Sequence, residues 1–81
     1  MTKEEKNKLI DYMVSGERQK WKCIRILMNL QLKYKLVIYE HIYENKKWDK
    51  VAVELGYSVR QKKNIENDGL EMMYEKLKDV L

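Results

Sequence analysis

Most residues from 58 to 67 have cationic or amide side chains. Arginine and lysine donate hydrogen bonds to phosphate oxygens and to guanine, and glutamine and asparagine can both donate to and accept from adenine. No carboxylate interrupts this segment before Glu66. The candidate contact residues are Ser58, Val59, Arg60, Gln61, Lys63, Asn64 and Asn67, together with Lys46 and Lys47, which lie earlier in the chain. This chemistry suits a negatively charged surface that displays base edges.

The charges of the chain are unevenly placed around this segment. Residues 46–65 carry six basic and two acidic side chains, whereas residues 66–81 carry two basic and five acidic ones. A basic segment followed by an acidic one indicates two surfaces with different partners. The charges alone are equally compatible with a solvated surface that has no partner.

The elements that would position these residues are helices. The 81 residues include no proline and three glycines, with 44% apolar and 37% charged side chains. Helix formers abound, and no segment alternates polar with apolar residues long enough to form a strand. We therefore predict one all-α domain over residues 1–81, a small helical domain of four to five helices. Helices within residues 1–45 would support a helix-turn-helix and a long C-terminal helix within residues 48–78.

Capping residues and apolar spacing place the individual helices. Thr2 with Glu5 is a capping-box pair, so the first helix is predicted to begin at Lys3. The other helices are predicted over residues 17–29, 33–44, 48–55 and 59–77. A break is predicted near residues 30–32 and a polar connector at 44–47. The last helix has a weak point at residues 67–69, where it could kink or restart. The predicted apolar faces are Leu9, Ile10 and Met13, then Trp21, Ile24, Leu27 and Met28, then Leu36, Val37, Tyr39 and Ile42 or Tyr43.

The connection between the last two helices has the length of a helix-turn-helix turn. Gly56 is predicted to end one helix in the left-handed conformation, and Ser58 to cap the next. A tight crossing needs a small residue where the backbones meet, which is Ala52. The residues predicted to build the motif are Trp48, Val51, Ala52, Leu55, Gly56, Tyr57 and Ile65.

Residues 48–73, WDKVAVELGYSVRQKKNIENDGLEMM, resemble the helix-turn-helix of sigma-70 region 4. The stretch is especially similar to small phage-encoded, sigma-like regulators of late transcription of the ArpU type. The likeness is carried by Trp48, Val51, Ala52, Leu55, Gly56, Tyr57 and Ser58. Ile65, Glu66, Leu70 and Met73 fit its continuation, and LVIYEHIYENKKW resembles the preceding helix. The resemblance, which covers about residues 30–78, implies double-stranded DNA as a partner, bound either directly at a promoter or together with RNA polymerase as region 4 does.

Two positions depart from the family pattern. Lys62 stands where a buried valine or isoleucine is usual, and we expect its alkyl stem to lie over the core with the ammonium in solvent. Gly69 stands where alanine is usual, which weakens a helix by about 1 kcal/mol.

Nothing in the sequence suggests catalysis or a cofactor. There is no glycine-rich phosphate loop and no nucleophile paired with a base. His41 is the only histidine, so we expect a half-buried helix residue rather than a metal ligand, and Cys23 is expected to fill the core. With no apolar run of about 18 residues and no secretory signal, we predict a cytoplasmic non-enzyme with no membrane partner, in the host cytoplasm if phage-encoded.

The remaining apolar residues have two interpretations each. Core packing is predicted for the aromatic residues Trp21, Tyr34, Tyr39, Tyr43, Trp48 and Tyr57, ahead of base stacking. A C-terminal stripe with three- and four-residue steps is predicted to fold back onto the first two helices, with a homodimer seam as the alternative. It consists of Leu70, Met73, Leu77 and Val80.

Two functional hypotheses follow. In the first, the chain is a sequence-specific transcription regulator whose helix after Ser58 enters the major groove. Arg60 would read guanine, Gln61 or Asn64 adenine, and Val59 a thymine methyl group. In the second, the chain is a phage-type protein-binding module that targets host RNA polymerase or inhibits a host defence nuclease. The basic face favours the first hypothesis, while the small size and acidic tail permit the second.

Overall fold

Five α-helices make up most of the chain in a computed structural model that describes residues 1–81. They are α1 (Lys3–Val14), α2 (Glu17–Met28), α3 (Leu32–Ile38), α4 (Trp48–Leu55) and α5 (Val59–Leu77). A π-helical turn, Tyr39–Tyr43, extends α3. The predicted all-α class, with four to five helices, is confirmed. None of these helices combines the length and the apolar character that a membrane span requires.

Local signals placed the helix ends correctly. At the start of α1, Thr2 Oγ1 accepts from the Glu5 N–H at 3.1 Å and Glu5 Oε1 accepts from the Thr2 N–H at 2.7 Å. This is the predicted capping box, which satisfies two donors that a helix start leaves free. The predicted break near residues 30–32 is also confirmed, because α2 ends at Met28 and α3 begins at Leu32.

The third helix keeps its predicted extent but changes its geometry. Its last turn is π-helical, and the Glu44 N–H donates to the Tyr39 carbonyl oxygen at 2.9 Å. Asn45 then takes a positive φ of 59°, a left-handed conformation that asparagine tolerates better than most residues. The chain turns there toward α4.

Helices α1, α2, α3 and α5 enclose one apolar core. It consists of Leu9, Met13, Cys23, Leu27, Ile38, Leu70, Met73 and Leu77. The predicted inner face of α1 is confirmed, with Leu9 and Met13 buried and Ile10 packed against them. The burial of Cys23 is confirmed as well, and it raises the pKa of the thiol to about 11.

The predicted inner face of α2 is confirmed at Leu27, which is buried, and wrong at Trp21 and Met28. Trp21 is 59% exposed and Met28 47% exposed, while Cys23 and Leu27 turn inward. Trp21 shares its helix face with the cations Arg18, Lys22 and Arg25, so burying it would also bury charge. Core packing is therefore wrong for this tryptophan.

The inner face of α3 is centred on Val37 and Ile38 rather than on the predicted Leu36, Val37 and Tyr39. Val37 and Ile38 are buried, whereas Leu36 and Tyr39 are exposed. Helix α3 packs on α5 through Tyr34 and Ile38, one turn apart, which leaves Leu36 on a different side of the helix. Core packing is wrong for Tyr39, and Tyr34 and Tyr43 are half-buried.

Helix α5 runs without interruption through the predicted weak point. At Gly69, an added Cβ would lie 2.7 Å from Ile38 Cδ1 and 3.2 Å from Tyr34 Cβ, so glycine lets α3 approach α5 closely. Leu70, Met73 and Leu77 are buried, which confirms the fold-back and removes them from any exposed homodimer seam. Only Val80 of that stripe is exposed, because it lies beyond the end of α5.

Candidate nucleic-acid interface

A rigid turn sets the direction in which α5 leaves α4. Gly56 has a φ of 74°, in the left-handed region, and the N–H groups of Gly56 and Tyr57 both donate to the Ala52 carbonyl oxygen. Ser58 Oγ then accepts from the Gln61 N–H at 3.1 Å, and Gln61 Oε1 accepts from the Ser58 N–H at 2.9 Å. The predicted positions of Gly56 and Ser58 are confirmed, and the reciprocal bonds with Gln61 fix the first turn of α5.

The first half of α5 presents its polar residues outward. Ser58, Val59, Arg60, Gln61, Lys63, Asn64 and Asn67 are all exposed. Arg60 and Lys63 take part in none of the ion pairs of the chain. No acidic residue occupies the first turn, so the positive end of the helix dipole adds to these two charges. This face therefore attracts anions.

Two of the predicted contact residues within α5 already have partners in the chain. Gln61 uses its amide oxygen in the cap, so its acceptor is not free to read adenine. Asn67 Oδ1 accepts from Lys6 Nζ of α1 at 2.8 Å. Lys6 was missed by the sequence analysis, since nothing local relates α1 to α5. Among the predicted contact residues within α5, Arg60, Lys63 and Asn64 keep their polar groups free.

The two lysines before α4 differ from each other. Lys46 Nζ donates to Glu54 Oε2 at 2.9 Å and to Glu40 Oε1 at 3.3 Å, and the bond with Glu54 is the main reason why the pKa of Lys46 is raised. Its charge is paired with two carboxylates within the chain, so Lys46 is less available to a ligand than an unpaired lysine. Lys47 is exposed and makes no ion pair.

The residues predicted to build the turn are buried to different degrees. Val51 and Ala52 are buried, and Trp48, Leu55 and Ile65 are half-buried. Tyr57 is 37% exposed, so its predicted core position is wrong. The contact between α4 and α5 is therefore thinner than the main core.

Lys62 lies beneath this contact, on the inner face of α5. It is fully buried, and its Nζ has no hydrogen-bond acceptor but lies 5.0 Å from the centre of the Tyr57 ring. Burial lowers the pKa of Lys62, and the negative charge of Glu40 partly opposes that shift. The expectation that the ammonium reaches solvent is wrong, because Tyr57 and its neighbours cover it.

Glu66 is also inside the fold rather than on the outward face. It is 2% exposed, and its Oε1 lies 3.1 Å from His41 Nδ1. The His41 ring stacks on Trp48 with centroids 3.8 Å apart, which ties the π-helical turn to the start of α4. His41 is half-buried, as expected, and no three acidic, histidine or cysteine side chains converge as a metal site would require.

The chain matches no protein-family model, and no curated protein or solved structure matches it. We therefore base the functional proposal on the geometry and chemistry of this surface.

Proposed function

We propose that the chain is a sequence-specific, DNA-binding transcription regulator that inserts the first half of α5 into the major groove. One observation carries this proposal. The outward face of that half exposes Arg60, Lys63 and Asn64, the two cations make no ion pair, and the first turn contains no carboxylate. A B-DNA major groove, about 12 Å wide, admits one α-helix. Phosphates are attracted by the cations, and base edges are matched by the guanidinium and amide groups.

The rigid start of α5 supports this role. A recognition helix usually presents its N-terminal residues to base edges, and the Ser58–Gln61 cap holds that turn in place. Arg60 can donate twice to guanine, and Asn64 can pair with adenine through both ends of its amide. Val59, 36% exposed, is placed to contact a thymine methyl group.

The resemblance to sigma region 4 supports the same proposal. Such a motif requires a small buried residue in its first helix and a left-handed residue in its turn, and Ala52 and Gly56 meet these needs. Under this proposal the chain binds a promoter either directly or together with RNA polymerase, as region 4 does.

Fluorescence anisotropy with a labelled duplex tests the proposal. Arg60→Ala/Lys63→Ala removes two cations from the outward face, so we expect weaker binding and a slope of log affinity against log salt that is smaller by about two. The matched control is Lys3→Ala/Lys8→Ala, which removes two exposed cations from α1. We expect that control to bind as wild type does.

Equal binding by wild type and Arg60→Ala/Lys63→Ala at matched salt would exclude the first half of α5 from DNA contact. The alternative, a protein-binding module directed at host RNA polymerase or a host defence nuclease, would then be preferred. The observation that favours it is an apolar cleft of about 520 Å³ between α3 and the turn before α5. Its apolar lining residues are Leu32, Leu36, Leu55 and Tyr57.

A further inference from the structure

Trp21 lies on the outer face of α2 with most of its ring in solvent. It is 59% exposed, and its only polar contact is the hydrogen bond from Nε1 to Glu17 Oε2 at 3.1 Å. Cations surround it, and none of them makes an ion pair. We define the basic stripe as Arg18, Trp21, Lys22 and Arg25, which line one shallow cleft together with Glu17. A large aromatic ring among unpaired cations is the composition of an interface centre.

A second stripe of opposite charge lies on the outer face of α5, in its C-terminal part. We define the acidic stripe as Asp68, Glu71, Met72 and Glu75, which line another shallow cleft together with Tyr34. Met72 is 39% exposed, so this stripe also carries one large apolar side chain among charges. Both stripes occur on outward faces because the opposite sides of α2 and α5 form the core.

The two stripes have the same spacing along their helices. In each, the four residues occupy positions i, i+3, i+4 and i+7, which share one face of an α-helix. If the two stripes pair antiparallel, Trp21 lies opposite Met72. The charged residues then form three pairs of opposite sign: Arg18 with Glu75, Lys22 with Glu71, and Arg25 with Asp68. Parallel pairing would instead place Trp21 opposite Glu71 and Lys22 opposite Met72. Only the antiparallel register matches every charge with its opposite and the apolar residues with each other.

We propose that the basic stripe of one copy packs antiparallel on the acidic stripe of a second copy of this chain. The Trp21 ring covers Met72 at the centre, where sulfur–aromatic contact is favourable, and ion pairs flank it on both sides. Because the two stripes are different surfaces, the contact is heterologous. If each of two copies binds the other through both of its stripes, the assembly closes as a dimer. If each stripe binds a different copy, the assembly extends beyond two chains.

The present partners of the acidic stripe do not block this contact. Glu71 Oε1 lies 2.9 Å from the N-terminal ammonium of Met1, and Glu75 Oε2 lies 3.0 Å from Lys78 Nζ. Both carboxylates are more than half exposed, and exposed pairs of this kind contribute little free energy. Asp68 makes no ion pair. The association should therefore be weak and strongly dependent on salt, since its charges stay near solvent.

Sedimentation equilibrium of the wild-type chain tests the first part of the proposal. Over roughly 10 μM to 1 mM protein, we expect the average mass to rise above that of the monomer at low salt. Raising the salt from about 50 mM to about 500 mM should weaken the association about tenfold. A monomer at every concentration and salt would overturn the proposal.

Two charge-reversed variants test which surfaces meet. Arg18→Glu/Arg25→Glu gives the basic stripe a net negative charge, and Asp68→Lys/Glu75→Lys gives the acidic stripe a net positive charge. The two stripes of each variant then repel each other, so each variant alone should be monomeric. An equimolar mixture should associate again, because the intact stripe of each variant meets its opposite on the other. The control Lys3→Glu/Lys8→Glu makes the same change in net charge as Arg18→Glu/Arg25→Glu but on α1, and it should associate as wild type does.

Circular dichroism of each variant establishes that it is folded before the masses are compared. Association that persists in either variant alone, or a mixture that stays monomeric while both variants are folded, would overturn the pairing of the two stripes. Tryptophan emission supplies an independent readout, since Trp21 of the wild type should shift to shorter wavelength on association. Trp21→Ala, which keeps Trp48, is the control that assigns the shift to Trp21.

Discussion

The two halves of α5 are built in opposite ways. In the second half, Leu70, Met73 and Leu77 point into the core, and Gly69 lets α3 approach within contact distance. In the first half, the only fully covered side chains are the charged residues Lys62 and Glu66. One half of the helix therefore anchors it through apolar burial, and the other contributes little apolar burial and exposes cations.

This difference separates stability from the proposed binding surface. Apolar burial contributes about 25 cal/mol for each Å² removed from water, and that gain is concentrated in the second half. An amine buried without an acceptor has the opposite effect on folding. We infer that the second half holds α5 in place while Arg60, Lys63 and Asn64 remain available to a ligand.

The largest effect is expected from shortening a side chain in the second half. Leu70→Ala should lower the free energy of unfolding by about 2–5 kcal/mol, because a fully buried side chain leaves a cavity. The exposed neighbour Met72 is the control, and Met72→Ala should change stability by less than about 0.5 kcal/mol. Urea unfolding at low protein concentration measures both. Similar losses in the two variants would contradict the anchoring role of the second half.

A smaller effect of opposite sign is expected in the first half. Lys62→Met should raise the free energy of unfolding by about 1–3 kcal/mol, because it removes a buried donor that has no acceptor while keeping an unbranched side chain. Lys63→Met, at the exposed neighbouring position, should have almost no effect. A loss of stability in Lys62→Met would mean that the ammonium is well solvated or paired in solution.

The same lysine makes stability depend on pH. Its pKa is lowered in the folded chain, so the unfolded chain binds more protons between that value and the ordinary lysine pKa. Wild-type stability should therefore rise with pH through this window, as the folded amine becomes neutral at lower pH than the unfolded one. Lys62→Met should lose this contribution, which urea unfolding at several alkaline pH values would detect.

The smallest effect is expected at the contact of α1 with the second half of α5. The N–H of Thr2 and the hydroxyl of Tyr74 both donate to Glu5, and they lower the pKa of its carboxyl from 4.5 to about 2. Stability from this group is present above pH 4.5 and is lost as the pH falls toward 2. Glu5→Gln should therefore unfold with a shallower acid dependence. An acid transition as steep as that of wild type would contradict this contact.

Local features of the fold were predictable from the sequence because their signals lie within a few residues. Thr2 with Glu5, Gly56 and Ser58 each act on backbone groups of their own helix ends, and all were placed correctly. The exposure of the α5 residues also followed from helical spacing. The cations beside Trp21 could have indicated its outward position, since Arg18, Lys22 and Arg25 share its face.

Features that depend on distant contacts were not predictable in this way. Lys46 pairs with Glu54, Lys6 with Asn67, and His41 with Glu66, and each pair joins residues of different elements. Their geometry depends on how the helices pack, which spacing within one helix does not determine. The burial of Lys62 has the same origin, because Tyr57 covers it from outside α5.

Selection of bound sequences from random duplex DNA tests the central claim most directly. The wild-type chain should enrich a short motif, and Arg60→Ala and Asn64→Ala should lose its guanine and adenine preferences, each about 1–3 kcal/mol, without loss of folding. Gln61→Ala should change the motif less, because its amide oxygen is held in the cap. No enriched motif for the wild type, or the same motif in Arg60→Ala and Asn64→Ala, would contradict direct reading of DNA by α5.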